Sequence, residues 1–263
     1  MIFSVRNGSF YYRENQPVLQ NINFGIEQGE ILSILGANGI GKTTLLKCML
    51  GFMEWKEGDT YFENKTLKSI SNKMFFQKVA YVPQSHNVSF PCSVYETVLL
   101  GRSSYLGIFD QPSKKDKEKA LHAIELCGIK HLITRNINEI SGGEQQLCYI
   151  ARALCSEPSI IILDEAETGL DYANQMIVLS LLKKLSKENN ITVIFNTHYP
   201  DHALEISDKT LLLLKDGNSL FGSTKHIITE ENLSNTFGVN IKILENEVNG
   251  KIYHSLIPID QKE

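Results

Sequence analysis

Short apolar runs of strand length recur along this chain, and stretches with helical spacing separate most of them. Residues 2–35 look β-rich. Phe10, Tyr11 and Tyr12 precede a polar turn over Arg13-Glu14-Asn15-Gln16-Pro17, and Val18, Leu19, Ile22 and Phe24 then resume an apolar pattern that partly alternates, as in a half-buried strand. Ile31-Leu32-Ser33-Ile34-Leu35 is a strand-length run, and residues 45–50 form a helix that ends at Gly51. Gly58-Asp59-Thr60-Tyr61-Phe62 and Lys78-Val79-Ala80-Tyr81-Val82 read as further strands, the second stopped by Pro83. Residues 94–100 and 114–127 have helical spacing, with Ala120, Leu121, Ile124 and Leu126 or Cys127 on one stripe. The charged run at 114–119 is the solvated start of that second helix. A helix follows over 145–154, then Ser159-Ile160-Ile161-Ile162-Leu163, an unbroken apolar strand suited to the inside of a parallel sheet.

Residues 173–187 form a helix whose apolar face is Ile177, Val178, Leu181, Leu182 and Leu185, and Ile191-Thr192-Val193-Ile194-Phe195 is the next strand. Leu211-Leu212-Leu213-Leu214 is another, and Asp216-Gly217-Asn218 turns the chain into Ser219-Leu220-Phe221. A small tail begins near Thr229: a helix over 230–237, then strands near Ile241-Lys242-Ile243 and Ile252-Tyr253-His254, joined by the hairpin signal Asn249-Gly250. Strands alternating with helices predict an α/β fold.

Composition changes this picture little. The 263 residues suit one large domain or two small ones, and 42% hydrophobic with 21% charged residues is ordinary for a soluble protein. A net charge of -4 gives no basic field, so nucleic acid is not expected as a partner. The apolar runs are too short to cross a bilayer, and residues 1–7 carry no secretory pattern. Five cysteines, odd in number and never paired as Cys-x-x-Cys, are expected to be free thiols in a reducing compartment.

The chemistry concentrates between the strand at 31–35 and the helix that follows. Gly36-Ala37-Asn38-Gly39-Ile40-Gly41-Lys42-Thr43-Thr44 has the phosphate-cradling spacing, in strand–loop–helix context. Glycines at 36, 39 and 41 let several backbone N–H groups face one point, and the helix start adds its positive end. Lys42 is expected to reach the β- and γ-phosphates of a nucleotide, with the Thr43 hydroxyl on magnesium. Five other places are candidates, each with a plainer reading. Tyr12 either sits in the core or stacks on an adenine. Gln84 either bonds its own polar loop, Ser85-His86-Asn87, or offers its amide oxygen to magnesium or water. Ser141 with Glu144 is a helix capping box, and that helix start, with Gly142 and Gly143, is also a second candidate anion site. Asp164 and Glu165 at the end of a buried strand are costly unless a cation or water uses them. His198, at the end of a central strand, is a catalytic candidate.

The ordered series resembles the ATP-binding subunit of an ABC transporter over essentially the whole chain. Tyr12 falls where that family stacks adenine, Gly36 to Thr43 match its Walker A loop, and Gln84 its Q-loop. Ser141-Gly142-Gly143-Glu144 match its signature, Asp164-Glu165 its Walker B pair, Gly169-Leu170-Asp171 its D-loop, and His198 its switch histidine. Each motif alone is weak, whereas the ordered set is specific. Residues 98–102, Pro112-Ser113, Asp116, 171–175 and 232–239 resemble importers of iron-siderophores, haem or cobalamin. Ala173-Asn174-Gln175 and residues 209–213 also resemble a molybdate or tungstate branch.

The resemblance implies a P-loop (RecA-like) core with an N-terminal antiparallel β subdomain, a helical subdomain inserted at about 85–156, and a small α+β appendage over 231–263 after an ATPase domain of 1–230. It also implies ATP and magnesium as ligands, with Thr43, Gln84 and Asp164 on the metal, and Lys42, Gln84, Glu165 and His198 in catalysis. Tyr12, Gly36, Asn38, Gly39, Gly41, Lys42, Thr43, Thr44, Ser141, Gly142, Gly143, Glu144 and Asp171 would line the nucleotide. The implied partners are a second copy head to tail, membrane permease subunits at the cytoplasmic face of the membrane, and indirectly an external binding protein. A soluble ABC-type ATPase without a membrane partner is the rival of another class, and it usually carries two ATPase halves or a long coiled-coil insert. The chain departs from the family at Ala166-Glu167-Thr168, where proline, threonine and serine are usual, and at Ile140, where leucine is. Losing the proline loosens the turn after Glu165, and Glu167 is expected to point to solvent.

Overall fold

The computed structural model describes residues 1–14, 16–84, 91–107 and 109–261. Asn15 of the expected turn, and Ser85, His86 and Asn87 of the expected loop, lie outside them. In chain order the elements are β1 (Phe3–Arg13), β2 (Gln16–Ile26), β3 (Ile31–Leu35), α1 (Lys42–Met49), β4 (Glu57–Phe62), β5 (Lys65–Thr66), α2 (Asn72–Lys78) and β6 (Val79–Val82). Then come α3 (Val94–Leu99), α4 (Lys114–Leu126), α5 (Gly142–Leu154), β7 (Ile160–Leu163), α6 (Tyr172–Lys187), β8 (Thr192–Thr197) and α7 (Pro200–Ile206). The chain closes with β9 (Lys209–Leu213), β10 (Ser219–Ser223), α8 (Thr224–Ile227), α9 (Glu230–Phe237), β11 (Val239–Val248) and β12 (Lys251–Gln261). These form two compact units, residues 1–69 with 194–263, and residues 70–193.

In the first unit, β2, β1, β4 and β5 make an antiparallel sheet in that order. Its buried face follows the alternation in the sequence: Phe3, Val5 and Phe10 of β1, Leu19, Ile22 and Phe24 of β2. β3 is buried at all its positions and pairs in parallel with β9, which pairs antiparallel with β10. Asp208 pins the β3–β9 register: its carboxylate accepts the Ile31 N–H at 2.8 Å, and its own N–H donates to the Ile31 carbonyl at 2.9 Å. Leu35, the residue before the glycine loop, shares a core with Leu212, Ala203, Ile228, Leu233 and Ile241. The C-terminal elements therefore brace the strand that launches the loop. β11 and β12 run far beyond the short strands expected, because polar residues such as Lys242, Glu245 and His254 alternate with the apolar ones. Their turn has positive φ at both Asn249 (53°) and Gly250 (76°), as a tight hairpin turn requires.

In the second unit, β6 and β7 pair in parallel from Val79↔Ile160 to Val82↔Leu163. The Thr192 N–H at the start of β8 donates to the Ser159 carbonyl. Val94 and Val98 of α3, Ala120, Ala123 and Ile124 of α4, and Cys148 and Ile150 of α5 are buried as a helical core. Ser93, Ser113 and Ser141 each start a helix with a full capping box. Inside this unit Arg102, 4% exposed, bonds Asp116 at 2.8 Å and the Cys155 carbonyl at 3.2 Å. The Ser113 hydroxyl and then the Arg102 guanidinium hold the Asp116 carboxyl down to about 2. All five cysteines are free, and four are buried. Burial pushes the thiols of Cys148 and Cys155 up to about 12 and about 11 respectively, which leaves little reactive thiolate.

Candidate active site

The first unit holds the glycine loop. β3 ends at Leu35 and α1 begins at Lys42, so the loop lies at the C-terminal end of a parallel strand, where ligands of such sheets bind. Gly39 and Gly41 have φ of 77° and 112°, which residues with a Cβ rarely adopt, and a Cβ on Gly41 would lie 2.8 Å from Val18 Cγ1. No side chain caps α1, and its first turn has no acidic residue, so its positive end is not offset from within that turn. Lys42 is 4% exposed. Its ammonium donates to the carbonyls of Gly36 at 3.0 Å and Ala37 at 3.3 Å, on the loop itself. Asn38 is exposed and Thr43 half-buried. The Tyr12 ring is 63% exposed, stands edge-on to Phe10 at 5.1 Å, and its hydroxyl meets Thr44 Oγ1 at 3.1 Å. That exposure sets aside the core reading of Tyr12. His198, in the same unit, is half-buried just past β8 and stacks on Tyr199, with ring centres 4.1 Å apart.

The second unit holds the carboxylates. Asp164, 2% exposed, ends β7, and its carboxylate accepts the Tyr81 hydroxyl from the neighbouring β6 at 3.3 Å. Burial, and next the Asp164 charge, push the Tyr81 phenol up. Glu165 follows with φ of 51°, in the left-handed region. Its Oε2 accepts the Gln84 side-chain amide at 2.8 Å and the Thr168 hydroxyl at 3.4 Å. Gln84 thus reaches Glu165 rather than only its own loop. Glu167 corrects the expectation above: it is 1% exposed, not solvated. The tight turn after Glu165 carries both Ala166 and Glu167 inward, and Gln175 Nε2 holds the Glu167 backbone carbonyl at 3.4 Å.

At α5 the capping box is real. Ser141 Oγ accepts the Glu144 N–H at 3.3 Å, and Glu144 Oε2 accepts the Ser141 N–H at 2.8 Å. Those bonds, with the Ser141 backbone first, hold the Glu144 carboxyl below its ordinary value. The two glycines that follow differ. A Cβ on Gly143 would fall 2.3 Å from the Asn174 side chain, so any larger residue there must turn that side chain aside. A Cβ on the exposed Gly142 would meet nothing within 4 Å. Packing inside the chain gives no reason for glycine there. Asp171 caps α6, accepting the Asn174 N–H at 2.8 Å.

Tyr81 and Thr168 are polar side chains on Asp164 and Glu165 that the motif pattern did not single out. The signal was available for both: a tyrosine three residues before Gln84, and a hydroxyl three residues after Glu165.

A glycine loop between a buried parallel strand and an uncapped helix start, with a lysine held on the loop's own carbonyls and a carboxylate pair at another strand end, defines the class of P-loop nucleotide hydrolases. Comparison with known proteins gives the family. The model of the ABC transporter family matches residues 19–168. The molybdate import ATP-binding protein MolC of Haemophilus influenzae is 41% identical over 89% of this chain and 87% of its own length. Among solved structures, the inward-facing conformation of a putative metal-chelate type ABC transporter has a chain 37% identical, with a TM-score of 0.89, covering 98% of this chain and 97% of that one. The dimeric structure of MJ0796, a bacterial ABC transporter cassette, matches with a TM-score of 0.73 at 28% identity over 84% of this chain and 98% of its own.

The chain belongs to the ABC transporter family and is its ATP-binding subunit, an ATPase. Its fold is the expected one, a RecA-like P-loop core with an N-terminal β subdomain, an inserted helical subdomain and a small C-terminal α+β region.

Proposed function

We propose that this chain powers import of a metal-containing solute, a metal chelate or an oxyanion such as molybdate, through a permease at the cytoplasmic face of the membrane. The single observation carrying the ATP part is Lys42: a buried ammonium held on the carbonyls of its own loop, at a helix start that no side chain caps. The cargo part rests on the similarity to MolC and to the metal-chelate type transporter. Among the described residues no helix is long and apolar enough to cross a membrane. The functional domain is taken as residues 1–230 with the helical insert at about 85–156, and residues 231–263 as the appendage.

The roles follow residue by residue. Tyr12 stacks the adenine. The amides of residues 36–44 and the Lys42 ammonium hold the phosphates. Thr43, Asp164 and Gln84 would hold magnesium, and this all-oxygen set, with one carboxylate, fits that ion. Held there, the metal would supply charge neutralisation at the phosphates. Glu165 accepts a proton from the attacking water, and His198 contacts the γ-phosphate. Ser141, Gly142, Gly143, Glu144 and Asp171 face the nucleotide of a second copy. The space beside Gly142 supports this, as does the dimer of the MJ0796 cassette. Loss of the γ-phosphate removes charge from that interface and lets it open, and the helical insert passes the motion to the permease, which an external binding protein loads.

The test is transport by the chain and its permease in liposomes, supplied with ATP and either radiolabelled molybdate or a ferric siderophore. Uptake of one cargo that requires both ATP and an intact Lys42 is expected. ATP hydrolysis indifferent to the permease, with no uptake, would favour the rival soluble ATPase.

A further inference from the structure

We propose that the Thr168 hydroxyl is a positioning residue for Glu165, keeping its carboxylate aimed when Gln84 turns away. This rests on the reading of Glu165 as the group that accepts the proton from water.

Three observations within one short turn carry it. Glu165 sits at φ 51°, a conformation that is uncommon for a residue with a side chain and redirects the Cα–Cβ bond. The Thr168 N–H closes the turn on the Glu165 carbonyl at 3.1 Å, which brings residue 168 back over residue 165. The Thr168 hydroxyl then donates to Glu165 Oε2 at 3.4 Å, and Gln84 Nε2 donates to the same oxygen at 2.8 Å. Two neutral donors thus meet on one carboxylate oxygen. They differ in what else they do. Gln84 is on the segment after β6 and is assigned to magnesium through its amide oxygen. An amide whose oxygen engages the metal has a new orientation to satisfy, so its hydrogen bond to Glu165 is the one that changes with nucleotide. Thr168 is tied to Glu165 by the turn itself, and α6, capped by Asp171, follows three residues later. Its hydroxyl is the donor that persists. Thr168 is exposed and Glu165 half-buried, so the bond orients the carboxylate without contributing to the core.

A hydrogen bond fixes direction, and proton transfer is sensitive to direction. Losing Thr168 should therefore slow the chemical step and leave ATP binding alone. The experiment compares wild type, Thr168→Val, Thr168→Ser and Glu165→Gln in the assembled transporter, measuring kcat and KM for ATP together with the thermal midpoint of the purified chain. Thr168→Val keeps the shape and removes the hydroxyl. It should lower kcat about fivefold, the equivalent of one ordinary hydrogen bond, with KM and the thermal midpoint unchanged. Thr168→Ser should restore kcat. The proposal is overturned if Thr168→Val matches wild type while Glu165→Gln is inactive, or if Thr168→Val loses KM and stability along with kcat. Wild-type turnover by Glu165→Gln is the separate outcome that removes the underlying reading of Glu165.

Discussion

Two helices of this chain begin at a glycine-rich motif, and their starts are built in opposite ways. α1 opens from a glycine at φ 112° with no side-chain cap and no acid in its first turn. α5 opens from a serine whose hydroxyl takes one amide, while Glu144 takes the serine's own N–H. The sequence pattern marks both as anion sites. The difference teaches what each can do alone. The α1 start has no side-chain cap, which suits a start that takes a phosphate in the proposed function. At the α5 start the capping box takes the amides of Ser141 and Glu144, and beside them lie the serine hydroxyl and the open space at Gly142. In the proposed function such a surface completes a site that a second copy brings to it.

Substitutions break or sharpen this contrast. Largest is Ser141→Arg, which fills the α5 tip: ATP turnover should fall about 100-fold, as when transition-state donors are lost, while ATP affinity of the single chain, read by calorimetry, stays within about twofold. Equal loss of affinity would mean that α5 shares the site within one chain. Next is Lys42→Ala, expected to weaken ATP binding about 30-fold through loss of charge-assisted bonds. Then the two glycines should separate. Gly143→Ala pushes the Asn174 side chain aside and should destabilise the chain by about 1 kcal/mol in denaturant titration. Gly142→Ala should stabilise it by about 0.5 kcal/mol, because alanine is the better helix former, yet still slow hydrolysis. Unchanged hydrolysis would remove Gly142 from the interface.

The smallest effect is in acid. Folding lowers the Glu144 carboxyl below its ordinary 4.5, so the cap's contribution is fully present above that pH and is lost as pH falls through the folded value. Glu144→Gln should flatten this part of the stability–pH curve between about pH 4.5 and lower.

Much of this was legible in the sequence, for local reasons. Residues 230–237 form the expected helix because Thr229 caps it and Gly238 ends it in a left-handed residue. The glycine loop and its flanking strand and helix follow from spacing alone. The misses have physical causes too. α2 carries Met74, Phe75 and Phe76 in succession, which hides helical spacing, and the structure buries only Phe75 of the three. β11 and β12 carry charged residues on both faces, Lys242 on one and Glu245 and Glu247 on the other, so their apolar content understates their length. Glu167 is inside because the conformation at Glu165 turns the chain inward, and residue type alone gives no hint of that. Thr168 and Tyr81 act through contacts across a turn and between strands, which one-dimensional motifs do not record.

The central claim is that ATP is held between the α1 start of one copy and the α5 start of another. Sedimentation of the Glu165→Gln chain with ATP and magnesium tests it most directly. The account predicts a dimer with ATP, a monomer without it, and a monomer that still binds ATP once Ser141→Arg is added. A dimer that persists with Ser141→Arg, or a monomer in every condition, would contradict it.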